Sequence, residues 1–211
     1  MSKLSDFILH ILFPNKCMFC NKVLPYDIDI CDECLKDVPL NKTKVYCNNK
    51  YFDYFFSPFY YKDGVKTAIK DLKFYGIKSN AKKLAYYMSL LIMDAPIDII
   101  IAVPMYKENE RLRGFNQSKL LAKEISKLIG VPYDFSIIKK IKSTKNQHDL
   151  SKSERLKNLS GCFKCNNKCE NLNVLIVDDV FTTGSTIDCC SLELKKVGAK
   201  TIFAITAAYT E

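Results

Sequence analysis

Hydrophobic positions along the chain fall into continuous runs and spaced stripes. Ile97–Val103, Val174–Val177 and Thr201–Ala208 are apolar runs bounded by polar or turn residues. Runs of this length suit strands buried on both faces of a parallel sheet. Elsewhere the apolar residues recur at helical spacing. Asp63–Tyr75 carries Val65, Ile69 and Leu72 on one face and Lys66, Lys70 and Lys73 on the other, a lysine stripe that could track phosphates but reads more readily as a solvated face. Ser79–Met93 sets Leu84, Met88, Leu91 and Ile92 inward, with Ala81 and Ala85 as small contacts. A third helix from Asn116 turns Leu121, Ile125, Leu128 and Ile129 inward and ends at Gly130-Val131-Pro132. A fourth follows Gly184, with Ile187, Cys190, Leu194 and Val197 on its core face. Met105–Phe115 reads as a charged loop and Phe135–Lys142 as a short strand. Ser5–Phe13 reads as a short amphipathic helix, and its polar face is not basic, which argues for packing rather than a membrane surface. Tyr51–Tyr61 is aromatic and β-prone, with Pro58 restricting it to an edge or interrupted strand; burial against the sheet is preferred over a stacking platform for nucleic acid. Alternating helices and strands predict an α/β sheet with helices on its faces.

Composition adds a second unit and a compartment. At 211 residues the chain suits one ordinary domain plus a small module, and 48% hydrophobic content supports a core. No apolar run is long enough for a membrane span, and Phe7–Phe13 runs into Pro14 rather than a cleavage site, so a cytoplasmic protein is expected. Its ten cysteines then read as thiols and metal ligands rather than disulfides. Cys17-x-x-Cys20 and Cys31-x-x-Cys34 have the spacing of a closed tetrahedral zinc site, with Cys47 a fifth, uninvolved thiol. Residues 1–50 are too few for a core of their own, so Zn²⁺ is expected to staple them structurally, and a larger domain occupies 51–211. Cys162, Cys165 and Cys169 make a weaker triplet that lacks a fourth ligand unless Cys47 approaches.

Candidate chemistry gathers at the end of the Val174 run. Asp178 and Asp179 follow it directly, then Thr182, Thr183, Gly184, Ser185 and Thr186 open a helix. Ligands of open α/β sheets sit at the carboxyl ends of strands, and a helix N-terminus with free N–H groups favours phosphate. Paired carboxylates suit a sugar diol, so the pattern points to a phosphorylated sugar. The run ending at Val103 feeds a second such loop, with Arg111 and Arg113, whose planar forks suit phosphate oxygens. Ser136–Lys164 holds eight basic residues against two acidic ones, much of the net charge of +9, and fits a lid over an anion or a nucleic-acid strip. His148 lies in this stretch without an evident carboxylate partner. A receiver-domain reading of Asp178-Asp179 fails because only 32 residues follow, enough for one helix and one strand. Neither a G-x-x-x-x-G-K-[ST] loop nor a G-x-G-x-x-G loop is present.

Val174–Thr186 resembles the signature of type I phosphoribosyltransferases, which bind phosphoribosyl pyrophosphate (PRPP). Together with the paired C-x-x-C, Asp71-Leu72-Lys73-Phe74-Tyr75-Gly76, Val103-Pro104, Arg111-Leu112-Arg113-Gly114-Phe115-Asn116-Gln117 and Gln147-x-x-Leu150-x-x-x-x-Arg155-x-x-Asn158, it is similar to the ComF family of competence-associated proteins. The resemblance implies a mainly parallel phosphoribosyltransferase-like sheet over 51–211 behind a zinc module over 1–50. It implies that Asp178 and Asp179 hold the ribose and, through water, Mg²⁺, and that Thr182–Thr186 hold the 5′-phosphate. Val103, Pro104, Arg111 and Arg113 are implied on the pyrophosphate side, and Lys140, Lys142, Gln147 and Arg155 in a mobile loop or its supports. Relatives often carry Arg where this chain has Lys140 and Lys142, which keeps charge but loses the bidentate fork. Two functions are compatible with the resemblance. One is PRPP-dependent transfer to an unidentified acceptor. The other is a non-catalytic role in DNA uptake, handling single-stranded DNA beside other uptake proteins, with PRPP or a nucleotide as effector.

Overall fold

The computed structural model describes residues 14–25, 28–38, 51–143, 161–166 and 168–210. In chain order the elements are α1 (Asp32–Asp37), β1 (Tyr54–Phe56), β2 (Phe59–Tyr60), α2 (Asp63–Phe74), α3 (Ser79–Ser89), β3 (Ile99–Ala102), α4 (Lys107–Arg113), α5 (Gln117–Ile129), β4 (Ile138–Lys140), β5 (Phe163–Cys165), β6 (Asn173–Phe181), α6 (Ser185–Lys196) and β7 (Thr201–Tyr209). The expected helix over Ser5–Phe13, Cys47, His148, Gln147 and Arg155 lie outside the described residues.

The main sheet runs β1–β7–β6–β3, with β2 also on β7, and every pairing in it is parallel. β1 pairs with Phe203–Ile205 and β2 with Ala208–Tyr209. They are therefore one edge strand interrupted at Ser57-Pro58, because proline cannot donate to the ladder. Strand side chains alternate between faces, and the core divides accordingly. Ile100, Ala102, Leu175, Val177, Phe203 and Ile205 pack with α2, α3 and α5. Ile101, Val103, Val174, Ile176, Ile202 and Ala204 pack with α6 and with the antiparallel pair β4–β5. The result is a sheet covered by helices on both faces.

The four-cysteine module joins the first of these cores through Cys17, Met18, Phe19, Leu24 and Ile30. Phe19 meets Phe59 edge to face, with ring centroids 5.7 Å apart. A Cβ on Gly64 would lie 2.5 Å from the Phe19 Cβ, so only glycine permits this approach of α2. Lys83, on α3, is buried under the module. Its Nζ donates to Asn15 Oδ1 at 2.9 Å and to the Lys16 carbonyl at 2.7 Å, and pairs with Asp29 at 3.3 Å. That anchor has no signature in the helical pattern.

Three expectations change. Met105–Phe115 is not all loop, because Lys107–Arg113 forms α4, with Glu108 and Glu110 in its first turn and Arg111 and Arg113 in its last. That polarity complements the helix dipole and favours the helix. Leu128 is 47% exposed rather than inward. The packed arc of α5 centres on Leu121, Ala122 and Ile125, which leaves Leu128 on its margin in the last turn. The lysine stripe of α2 is also not uniformly solvated, since Lys73 turns into the site described next. Among the described residues no helix is long and apolar enough to cross a membrane.

Candidate functional site

β3 and β6 are parallel neighbours in register, Ala102 beside Val177, so both chains leave the sheet on the same edge. After Val103, Asn116 caps α5. Its Oδ1 accepts from the amides of Ser118 (2.9 Å) and Lys119 (3.3 Å), while its Nδ2 donates to the Val103 carbonyl at 3.0 Å. This cap ties the start of α5 to the end of β3 and delivers Ser118 to β6. Ser118 Oγ donates to Asp178 Oδ1 at 2.8 Å, and the Asp179 amide donates to the same oxygen at 2.9 Å.

Asp179 is almost fully buried. Its Oδ1 accepts from the Val180 amide at 3.0 Å, and its Oδ2 lies 3.0 Å from Lys73 Nζ. That Oδ2 has a counter-ion but no well-directed hydrogen bond. The Asp179 charge holds the Lys73 ammonium above its ordinary range, against the opposing effect of burial. The Asp178 pKa rises too, but for a carboxyl that disfavours the charged form. Burial, then the neighbouring Asp179 charge, push its carboxyl up to about 7, against the hydrogen bond from Ser118 and the attraction of Lys73. Two adjacent carboxylates with one ammonium in direct contact concentrate negative charge at the end of β6, where a cation or cationic transition state would be stabilised.

These groups line a cleft of about 330 Å³. Its walls include Val103, Pro104, Arg113, Lys140, Asp178, Asp179, Thr182 and Thr186, all foreseen from sequence, together with Lys73, Gln117 and Ser118. Arg113 Nη1 donates to Gln117 Oε1 at 2.9 Å, and its guanidinium lies 5.5 Å from the Phe74 ring centroid. Lys140 Nζ lies over Phe163, 5.8 Å from the ring centroid, and burial lowers its pKa. Beside the cleft the chain turns through a small cradle lined by Thr182–Thr186. Thr183 Oγ1 and Ser185 Oγ are hydrogen-bonded at 2.9 Å. Gly184 takes φ +76 to cap α6, and a Cβ there would meet the Phe181 ring at 2.6 Å. Both the backbone and the ring therefore require glycine.

Two foreseen residues are not brought to the cleft. Arg111 is exposed on α4 and does not line it, because residues two apart on a helix point to different faces. Lys142 is exposed beyond β4 and does not line it either. Lys73 is the main residue that sequence reasoning missed. Its only signal was its place in Asp71–Gly76, since its helical face reads as solvent.

The sulfurs of Cys17, Cys20, Cys31 and Cys34 all lie within 4.8 Å of one another, with Cys20 and Cys31 at 3.7 Å. Zinc–sulfur bonds of about 2.3 Å in a tetrahedron separate sulfurs by about 3.8 Å, so the donor set fits Zn²⁺. Burial pushes the Cys17 thiol up, but amide donors from Cys31, Cys20 and Phe19 outweigh it and hold it at about 7, closer to the thiolate a metal needs. No second grouping of possible metal ligands occurs among the described residues; Cys162 and Cys169 are buried, and Cys165 is raised to about 12 by burial.

Residues 8–49 match the double zinc ribbon domain, and residues 116–210 the phosphoribosyl transferase domain. The first stretch holds five cysteines and one histidine, donors for one complete four-ligand site rather than two. The chain is 30% identical to Competence protein F of Haemophilus influenzae over 88% of its own length and 81% of that protein. It is 30% identical to Competence protein ComFC of Bacillus subtilis over 71% of its length and 62% of that protein. It is 37% identical to the DNA utilization protein YhgH of Salmonella typhi, over 50% of its length and 46% of that protein. A zinc ribbon ahead of a phosphoribosyl transferase domain, and a relationship to Competence protein F that runs through both, place the chain in the ComF family.

Proposed function

We propose that the cleft binds PRPP together with Mg²⁺, and that the chain acts in the uptake or use of DNA, as the names of its relatives suggest for them. One observation carries the ligand. Asp178 and Asp179 stand side by side at the end of β6, the first held by Ser118 and the second by Lys73, directly ahead of the Thr182–Thr186 cradle. In this reading the carboxylates take the ribose hydroxyls, and the cradle takes the 5′-phosphate with the N-terminal end of the α6 dipole. Arg113 and Lys140 face the pyrophosphate. Asp178 and Asp179 are the groups that would hold Mg²⁺, which supplies charge neutralisation for the leaving pyrophosphate. Ten cysteines read as thiols and metal ligands rather than disulfides suit a reducing compartment, the cytoplasm.

If transfer occurs, the bond from ribose C1 to the pyrophosphate oxygen breaks and a bond from C1 to the acceptor forms. The buried carboxylates stabilise the cationic sugar between these events. A second reading keeps the ligand and drops the chemistry. It is favoured by Lys140, which meets the pyrophosphate side as a single ammonium rather than a two-pronged guanidinium. On that reading PRPP or a nucleotide is an effector of a protein that handles single-stranded DNA beside other uptake proteins.

Calorimetry of PRPP with Mg²⁺ is expected to give saturable heat that Asp178→Asn reduces at least about tenfold in affinity. No heat, or an Asp178→Asn curve identical to the parent, overturns the ligand assignment. Pyrophosphate release with a panel of nucleobases then separates transferase from effector.

A further inference from the structure

Beside the carboxylate cleft lies an open hollow of about 670 Å³ that shares Lys73, Met105 and Arg113 with it. Its rim is built where α2 ends and α4 ends. Phe74 is 61% exposed, Tyr75 78% and Leu112 83%. Large apolar side chains grouped this way at a surface mark an interaction site rather than scattered exposure. Cations stand beside them: Lys73 and Arg113 line the same hollow, Arg113 lies 5.5 Å from the Phe74 ring centroid, and Lys78, outside the lining, has its Nζ 5.7 Å from the ring centroid of the half-buried Phe115.

Exposed rings beside cations match the chemistry of an unpaired nucleic-acid strand, whose bases stack and whose phosphates seek positive charge. A duplex fits poorly, because its base faces are already stacked on each other. The aromatic stretch Tyr51–Tyr61 cannot serve, since Phe52, Phe55 and Phe59 are buried in the sheet and its cores.

We infer that the Phe74–Tyr75–Leu112 hollow is a stacking site for bases of single-stranded DNA, opening onto the cleft proposed to hold PRPP. The inference rests on that reading for its purpose, not for its existence. A base stacked on Tyr75 would share the Lys73 and Arg113 wall with whatever occupies the cleft. The site thereby gives the ligand cleft a neighbour through which strand and ligand can influence each other's binding.

The chain contains no tryptophan, so Tyr75→Trp creates a single indole reporter at the rim. Titrating the full chain with an oligothymidylate of about twelve nucleotides is expected to quench that indole in step with the anisotropy of the labelled strand. The Phe74→Ala, Tyr75→Ala double variant is expected to bind the strand about tenfold more weakly or worse, while Tyr75→Phe binds as the parent does. Binding is expected to weaken between about 50 and 200 mM salt. An unquenched indole on a bound strand, or parent-like binding by the double variant, overturns the site. Equal binding and quenching by a duplex, or quenching by thymidine monophosphate at the strand's concentration, overturns the assignment to single-stranded DNA. Calorimetry of PRPP with Mg²⁺ on Tyr75→Ala is expected to be unchanged, because Tyr75 does not line the cleft. Absent PRPP heat in the parent, with the indole still quenched, would remove the proposed ligand and leave the stacking site standing.

Discussion

The two strand ends that build the cleft, β6 into α6 and β3 into α5, differ in how they present chemistry. After β6 the chain needs only Thr182, Thr183 and Gly184 to start its helix, and the carboxylates, hydroxyls and helix N-terminus arrive in one uninterrupted stretch. After β3 it inserts the seven-residue α4 before α5 begins. That insertion decides which side chains arrive, taking Arg113 to the cleft and Arg111 to solvent. A contiguous turn fixes its groups by local geometry. An inserted helix fixes them by its rotation, which is set by packing and by the Arg113–Gln117 contact. The two ends are then joined by the Ser118–Asp178 hydrogen bond, contributed by neither loop alone.

This contrast can be tested from its strongest point downward. Gly184→Ala should do the most damage, because a left-handed residue acquires a Cβ and that Cβ meets Phe181 at 2.6 Å. A stability loss of about 2–4 kcal/mol, read by denaturant unfolding, is expected, with loss of ligand heat. Wild-type stability would mean that the turn tolerates a side chain. Lys73→Met comes next. It leaves the buried Asp179 carboxylate without its counter-ion and should cost about 1–3 kcal/mol, less than for a fully buried pair because Lys73 keeps 30% side-chain exposure. A neutral result would show that Asp179 needs no support from α2. The smallest effect sharpens the β3 side. Arg113→Ala is expected to weaken PRPP about tenfold, whereas Arg111→Ala changes it less than about twofold. Equal effects would contradict the rotation of α4.

Much of the site was readable because its signal is contiguous. Val174–Thr186 carries strand, carboxylates, cradle and helix start in order, and the two C-x-x-C pairs carry a complete ligand set. What escaped the sequence are residues whose role depends on another element. Lys73 belongs to a polar stripe by its spacing, and only the approach of β6 to the end of α2 gives it Asp179. Lys83 occupies an ordinary helical position, and only the docked zinc module surrounds it with Asn15, Lys16 and Asp29. Ser118 looks like a generic residue of a helix's first turn until Asp178 is placed against it. Period and composition report how one segment meets solvent, not which other segment covers it.

The strands of the parallel sheet, the four clustered cysteines and the carboxylates beside a hydroxyl-rich turn were legible in the sequence alone. Each depends on residues within a few positions of one another, whose spacing and backbone conformation are local properties. Tertiary structure alone decided that Asp178 is bridged to α5, that Asp179 is paired with α2, that Arg113 and not Arg111 faces the cleft, and that Phe74 and Tyr75 stand exposed at its border. Those outcomes depend on contacts between residues far apart in the chain, and a buried charge or an exposed ring is defined only by what folds against it.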